Sequence, residues 1–388
     1  MISNFKDLGV SDGIIKAMKE MGWTEPTPVQ AESIPTGLTG CDMFAQAQTG
    51  TGKTGAYGSI ALGLTKPGRK DPSVLVLVPT RELANQIYDE MYKLSKYTGH
   101  RSAVVYGGVG IEKQIGKLRK GTDIVIATPG RLKDLIGRNE ANLSRISMVV
   151  LDEADRMLDM GFAKDLNFIL GRVPSGRQTL LFSATMSPDV KKLADRMLKT
   201  PKDVIVSKDE VTAGLIKQSY IGVTKDTKQK ELRMILDSGV SKTIVFCKTK
   251  RRVNQLSRNL ASDYRVGAIH GDVAQNKRER TVKEFKAGTI EVLIATDIAA
   301  RGLDIEGVDC AVNYDMPNDP ETYMHRIGRT GRAGRDGMSV TFVLDEEKRD
   351  FMLVEKHVGM KIPVLDVRSA RYEGSAAAKG VSGRNPIS

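Results

Sequence analysis

The chain has 388 residues, 40% hydrophobic and 27% charged, a composition that excludes a disordered chain and a length that suits two domains better than one. Its three cysteines, Cys41, Cys247 and Cys310, lie far apart, match no metal spacing and suit a reducing compartment. A net charge of +12 favours polyanionic partners; residues 1–7 hold no apolar signal core and no apolar stretch approaches the ~18 residues of a membrane span, so a cytoplasmic location is expected.

Short apolar, β-branched runs alternate with longer amphipathic stretches along the chain. In the first half, residues 74–78, 124–127, 148–151 and 179–182 read as strands. They end in Pro79-Thr80-Arg81, Thr128-Pro129-Gly130-Arg131, Asp152-Glu153 and Ser183-Ala184-Thr185. Near-continuous apolar strands between helices predict an α/β fold with a parallel sheet covered on both faces. Ligands of such sheets sit outside the carboxyl ends of the strands, where these polar groups fall. The second half repeats the plan at 243–246, 266–269, 292–295, 311–313 and 340–343. Those strands lead into Lys248-Thr249, His270-Gly271-Asp272, Thr296-Asp297 and Tyr314-Asp315. Two tandem domains are therefore expected, 1–205 and 215–365. A weakly patterned linker at 206–214 would join them, and the small and basic residues 366–388 would form a flexible tail.

Ala47-Gln48-Thr49-Gly50-Thr51-Gly52-Lys53-Thr54 is the strongest single signal. Small residues let the backbone wrap a phosphate chain, with successive N–H groups aimed at its oxygens. Lys53 would neutralise the β- and γ-phosphates, Thr54 would offer its hydroxyl to Mg2+, and the helix that follows would add its positive end. Ala47 stands where the generic loop has its first glycine. Such a site also needs a carboxylate at the end of a neighbouring strand to hold the metal. Asp152 fills that role, and Glu153 is placed to position or deprotonate the attacking water.

Asp152-Glu153-Ala154-Asp155 spells the sequence from which the DEAD-box helicases take their name, and the rest of the chain resembles that family motif by motif. Residues 22–30 resemble its adenine-reading Q motif, with Phe5 placed like the isolated upstream aromatic and Trp23 where Phe or Tyr is more usual. Residues 79–84, Gly107-Gly108 and Thr128-Pro129-Gly130-Arg131 resemble its first-domain RNA motifs. Ser183-Ala184-Thr185 resembles the element that joins ATPase to strand separation. In the second half residues 245–249, His270-Gly271-Asp272, Gln275 with Arg278, 295–304 and 325–332 continue the match. Lys248 there replaces a smaller polar residue.

The resemblance implies two RecA-like domains, ATP hydrolysis with Mg2+ and action on RNA. Phe5, Trp23, Gln30, the loop 47–54, Gly302 and Asp304 would contact the nucleotide. The amide of Gln30 can donate and accept at an adenine edge, although the prolines before it also suit a helix start. Arg329 and Arg332, spaced to share one helical face, would be arginine fingers, worth ~10³–10⁵ in rate. Asp155, Ser183, Thr185, His325 and Arg326 would couple the domains. Pro79, Thr80, Arg81, Gly108, Thr128, Pro129 and Arg131, with Thr249, Gly271, Asp272 and Thr296, would hold RNA. These types bind phosphates and 2′-hydroxyls without reading bases. No phosphate loop recurs in the second half, so one ATP site per chain is expected, in a monomer that opens short duplexes locally.

Overall fold

Alternate residues along the first-half strands divide between two hydrophobic cores, one on each face of a sheet. Val74 and Val76 enter one core while Leu75 and Leu77 enter the other; Met148 and Val150 oppose Val149 and Leu151 in the same way. A strand buried on both faces has no polar side to show, hence the unbroken apolar runs. The computed structural model describes residues 4–47, 50–206, 216–300, 308–331 and 337–365, apart from the side chains of Gln275, Ile298 and Glu321. Gln48, Thr49, Gly302, Asp304, Arg332, residues 207–214 of the expected linker and the tail 366–388 lie outside these.

The chain divides into two compact units, Met1–Lys208 and Asp209–Ser388. The first holds β1 (Met43–Gln46), β2 (Val74–Leu77), β3 (Ser102–Val105), β4 (Ile124–Ala127), β5 (Met148–Leu151), β6 (Gln178–Ser183) and β7 (Lys202–Ile205). They pair in parallel in the order β3-β4-β2-β5-β6-β1-β7. Helices α1 (Asp12–Glu20), α2 (Pro28–Leu38), α3 (Lys53–Leu64) and α4 (Arg81–Leu94) cover one face. The other is covered by α5 (Glu112–Arg119), α6 (Pro129–Gly137), α7 (Ala154–Asp159), α8 (Ala163–Leu170) and α9 (Pro188–Met197).

The second unit holds β8 (Ile216–Gly222), β9 (Thr243–Phe246), β10 (Val266–Ile269), β11 (Val292–Ala295), β12 (Cys310–Asn313) and β13 (Gly337–Val343). All pairs are parallel, in the order β10-β11-β9-β12-β13-β8. Helices α10 (Lys228–Asp237) and α11 (Lys250–Leu260) pack on one face. Helices α12 (Gln275–Lys286) and α13 (Asp297–Ala300) pack on the other, while α14 (Pro320–Ile327) and α15 (Lys348–Val358) share a third core with the ends of β8 and β13.

Four strands had not been anticipated. The edge strands β3, β7 and β8 mix buried with partly or fully exposed positions and carry polar residues; β7 reads Lys-Asp-Val-Ile. The fourth, β1, offers only Met-Phe-Ala before Gln46, too short a run to signal a strand.

Candidate functional site

The order β5-β6-β1 brings the ends of three motif-bearing strands together. Register pairs Gln46 with Ser183, and the Ala47 N–H donates to Ser183 O at 2.9 Å. Gly50 and Gly52 take left-handed φ values of 84° and 93°, a turn that only glycine makes without strain. Lys53 opens α3, and its buried Nζ sits 3.4 Å from both Ala47 O and Asp152 Oδ1. Burial works against the Lys53 charge, but Asp152, Glu153 and Asp155 outweigh it and raise the pKa.

Asp152 is 2% exposed at the end of β5, and burial raises its pKa against the pull of Lys53. The Tyr57 hydroxyl donates to Asp152 Oδ2 at 3.1 Å and also lies 3.4 Å from Thr54 Oγ1. Burial pushes the Tyr57 phenol well above its usual value. Among the described residues Oδ1 of Asp152 is buried with no hydrogen bond, the Lys53 ammonium lying 3.4 Å away. Glu153 is held in left-handed backbone (φ 54°), a strain of ~1–3 kcal/mol that accumulates at functional sites. Its carboxylate pairs with the buried Arg156 guanidinium.

These residues fit a magnesium ion. Three buried carboxylates, Asp152, Glu153 and Asp155, gather beside the cations of Lys53 and Arg156, and among the described residues Asp152 Oδ1, 3.4 Å from Lys53 Nζ, has no hydrogen bond. Among the described residues no three His, Cys, Asp or Glu side chains gather into a metal cage. Magnesium does not require one, since it takes one or two carboxylates and completes its shell with water and phosphate.

The Q-motif region packs directly on the phosphate loop. Gln30 is buried; its Oε1 accepts from Thr27 N at 3.0 Å and its Nε2 donates to Gly52 O at 3.0 Å. One amide thus caps α2 and braces the loop, joining the helix-start reading to a place beside the phosphate loop. Gly55 permits this contact: a Cβ there would lie 2.5 Å from Gln30 Nε2 and 2.9 Å from Trp23 Cζ3. Trp23 is half-buried. Phe5 is 3% exposed and packs within the core of this unit.

Asp155 ties the β5 end to the β6 end. Its Oδ2 accepts from the N–H groups of Ala184 and Thr185, both at 3.1 Å, and from Thr185 Oγ1 at 3.3 Å. Ser183 is buried; among the described residues its hydroxyl has no partner. The expected RNA residues of this unit follow the ends of β2, β3 and β4. The Thr80 hydroxyl caps α4 by accepting from Leu83 N at 3.3 Å. Arg81 lies so close over Gly108 that a Cβ there would meet its guanidinium at 2.0 Å. Thr128 and Pro129 open α6, and Arg131 donates from Nη2 to Val109 O at 3.1 Å while its buried Nη1 has no partner.

In the second unit Thr249 caps α11, accepting from Arg252 N at 3.2 Å. Gly271 and Asp272 are exposed, Thr296 is half-buried, and the Lys250 ammonium at 2.7 Å holds the Asp272 carboxyl below its usual range. Asp272 would suit a 2′-hydroxyl, not a phosphate. The Arg326 guanidinium is engaged inside its own unit. Nε and Nη2 bond both Asp297 oxygens, at 2.6 and 2.9 Å, while Nη1 donates to Asn313 Oδ1 and Asp315 O at 3.1 and 2.6 Å. Arg329 lies beyond the helix on which a face shared with Arg332 was expected, and Arg332 lies outside the described residues. Helix α14 ends at Ile327, because Thr330 bridges to Val308 and its hydroxyl donates to Val308 O at 2.6 Å. Arg329, 7% exposed, follows the helix; His325 and Arg329 line a small pocket with Phe246, Asp297 and Arg326. Sequence reasoning missed two participants, Tyr57 and Arg156. Each stands three residues beyond a motif residue, Thr54 and Glu153, at a spacing that shares a helix face.

Comparison with known proteins agrees with this arrangement. The DEAD/DEAH box helicase model matches residues 27–193 and the helicase conserved C-terminal domain matches 225–334. The chain is 46% identical over 373 residues to the DEAD-box ATP-dependent RNA helicase CshA of Bacillus licheniformis, covering 94% of this chain and 77% of that one. Against the protein of that name from Bacillus subtilis it is 45% identical, covering 94% and 76%. Among solved structures, S. cerevisiae Dbp5 bound to RNA and ADP BeF3 aligns with a TM-score of 0.85 at 32% identity, covering 93% of this chain and 95% of that one. The expected fold class, tandem RecA-like α/β domains, is the one observed. The chain belongs to the DEAD-box ATP-dependent RNA helicases.

Proposed function

We propose that this protein couples magnesium-dependent ATP hydrolysis to local, non-processive opening of short RNA duplexes. The observation that supports it most directly is the buried meeting of Lys53, Asp152 and Glu153 beside a glycine turn shaped for phosphates. In this reading the loop N–H groups and Lys53 hold the triphosphate, Gln30 and Trp23 hold the adenine, and Thr54 and Asp152 hold Mg2+. When bound, that ion offsets charge developing on the transferred phosphoryl group. Glu153 orients the attacking water and takes its proton, while Asp155 transmits the state of the site to the 184–185 loop.

RNA is held through its backbone by Thr80, Arg81, Gly108, Thr128 and Arg131 in one unit and by Thr249, Asp272 and Thr296 in the other. Arg329 and Arg332 complete the γ-phosphate site when the units close, so hydrolysis waits for closure. Closing an open ensemble takes on the order of 5 kcal/mol of differential binding. Against ~1.4 kcal/mol per base-pair step, with the DNA value assumed for RNA, one closure opens only a few pairs. A cytoplasmic monomer is part of the proposal. Among the described residues no helix is long and apolar enough to cross a membrane.

RNA-stimulated ATP hydrolysis by the purified chain tests this. Lys53→Ala should lower the rate by ~10²–10³-fold or more. Equal stimulation by DNA, or directional unwinding of long duplexes in a single turnover, would overturn the reading.

A further inference from the structure

The roles proposed above leave Tyr57 without one. It stands one turn beyond Thr54 in α3, fully buried, its ring edge-on to Phe182 with centroids 5.4 Å apart. Its hydroxyl touches two of the groups that would face a cation, Asp152 through Oδ2 at 3.1 Å and Thr54 through Oγ1 at 3.4 Å. A phenol carries one proton, and the nearer, ionised acceptor takes it. The threonine contact then runs the other way, with Thr54 donating to the phenol oxygen and turning its lone pairs towards the loop. On Asp152 the same bond occupies Oδ2 and leaves Oδ1, which makes no hydrogen bond among the described residues and faces the Lys53 ammonium at 3.4 Å, as the oxygen that a cation would reach once Lys53 turns to a phosphate.

We propose that Tyr57 is a positioning residue for the magnesium site: one hydroxyl orients both Thr54 and Asp152, so that an oxygen of each is available to the ion. The inference rests on the reading of Asp152 as the metal-side carboxylate. Outer groups that orient metal ligands are worth ~10–100-fold in affinity when removed. A purely structural role, in which the hydroxyl only satisfies a buried acid, would instead affect the metal-free protein.

The two roles separate in Tyr57→Phe, which removes one oxygen and leaves the ring packing intact. Affinity of the whole chain for a fluorescent ADP is measured across magnesium concentrations and in EDTA, with thermal unfolding of the metal-free protein alongside. The magnesium midpoint should rise about tenfold, with affinity in EDTA within about twofold of the parent. An unmoved midpoint, or an equal loss of affinity with and without magnesium, overturns the proposal. Asp152→Asn distinguishes the two levels. Where it raises the midpoint and Tyr57→Phe does not, only the role of Tyr57 fails; where neither moves it, the metal site itself is misplaced.

Discussion

Asp155 offers the sharpest test of how the ATP site is tied to its surroundings. One carboxylate oxygen accepts from the N–H groups of Ala184 and Thr185 and from the Thr185 hydroxyl, all within 3.3 Å, and the residue is 7% exposed. Asp155→Ala strips the acceptor from three backbone donors, counting the Arg156 N–H on the other carboxylate oxygen at 2.9 Å, and from one hydroxyl. Hydrogen bonds to charged groups contribute about 1.5–3 kcal/mol each, but neighbouring ones are not additive, so the expected loss is about 3–5 kcal/mol. For a unit near 200 residues each kcal/mol shifts Tm by about 2–4 °C, which gives a fall of about 6–20 °C. Asp155→Asn keeps one carbonyl oxygen with two lone pairs and should lose only about 1–2 kcal/mol. Trp23, the one tryptophan, lies in the same unit, so fluorescence-detected melting reports on the element concerned. Should Asp155→Ala and Asp155→Asn both melt within 2 °C of the parent, as an effect of roughly 1 kcal/mol or less would give, the carboxylate does not hold the 184–185 loop.

Three further outcomes are expected. Gly55→Ala gains about 1 kcal/mol of helix propensity and loses a similar amount with the Gln30–Gly52 hydrogen bond. Stability should therefore stay within about 1 kcal/mol of the parent while ATP affinity falls about tenfold; nucleotide titration showing parental affinity would refute the packing argument. Arg326→Lys gives up the two-pronged contact with Asp297 and the bonds to Asn313 and Asp315, at a cost of about 2–4 kcal/mol. Urea unfolding followed by circular dichroism should show it, and an unchanged profile would dismiss Arg326 as the brace of its unit. Burial lowers the pKa of His100 from its ordinary value of 6.5, against the opposing pull of the Thr65 carbonyl and Asp123, and its ring nitrogens contact Thr65 and Thr98. Its contribution is present above pH 6.5 and is lost as pH falls through the lower folded value. His100→Gln should flatten that acid-side decline, and parallel melting curves for the two proteins would count against it.

Much of the site was legible from spacing alone, because phosphate binding imposes its demand locally. A turn of small residues, a lysine and a hydroxyl must follow one another, so residues 47–54 announce themselves. A carboxylate pair after an apolar run does nearly the same at Asp152-Glu153. Central strands were legible for an equally local reason, since burial on both faces leaves no alternation and an apolar run results. The sequence alone therefore determined the α/β class, the duplicated plan, the family and the end of the sheet that carries the chemistry.

Tertiary structure decided whatever depends on which groups meet. The edge strands β3, β7 and β8 owe their existence to a neighbour's hydrogen bonds, and their half-exposed patterns do not declare them. Phe5 is an aromatic residue whose surroundings made it core, and Arg326 a cation whose acceptors lie 11 to 29 residues away in its own unit. Arg329 lies beyond its expected helix, where Thr330 bridges to Val308, 22 residues away. Tyr57 is the clearest instance. Its hydroxyl matters only because β5 places Asp152 beside α3, a juxtaposition across 95 residues that local sequence has no means of expressing.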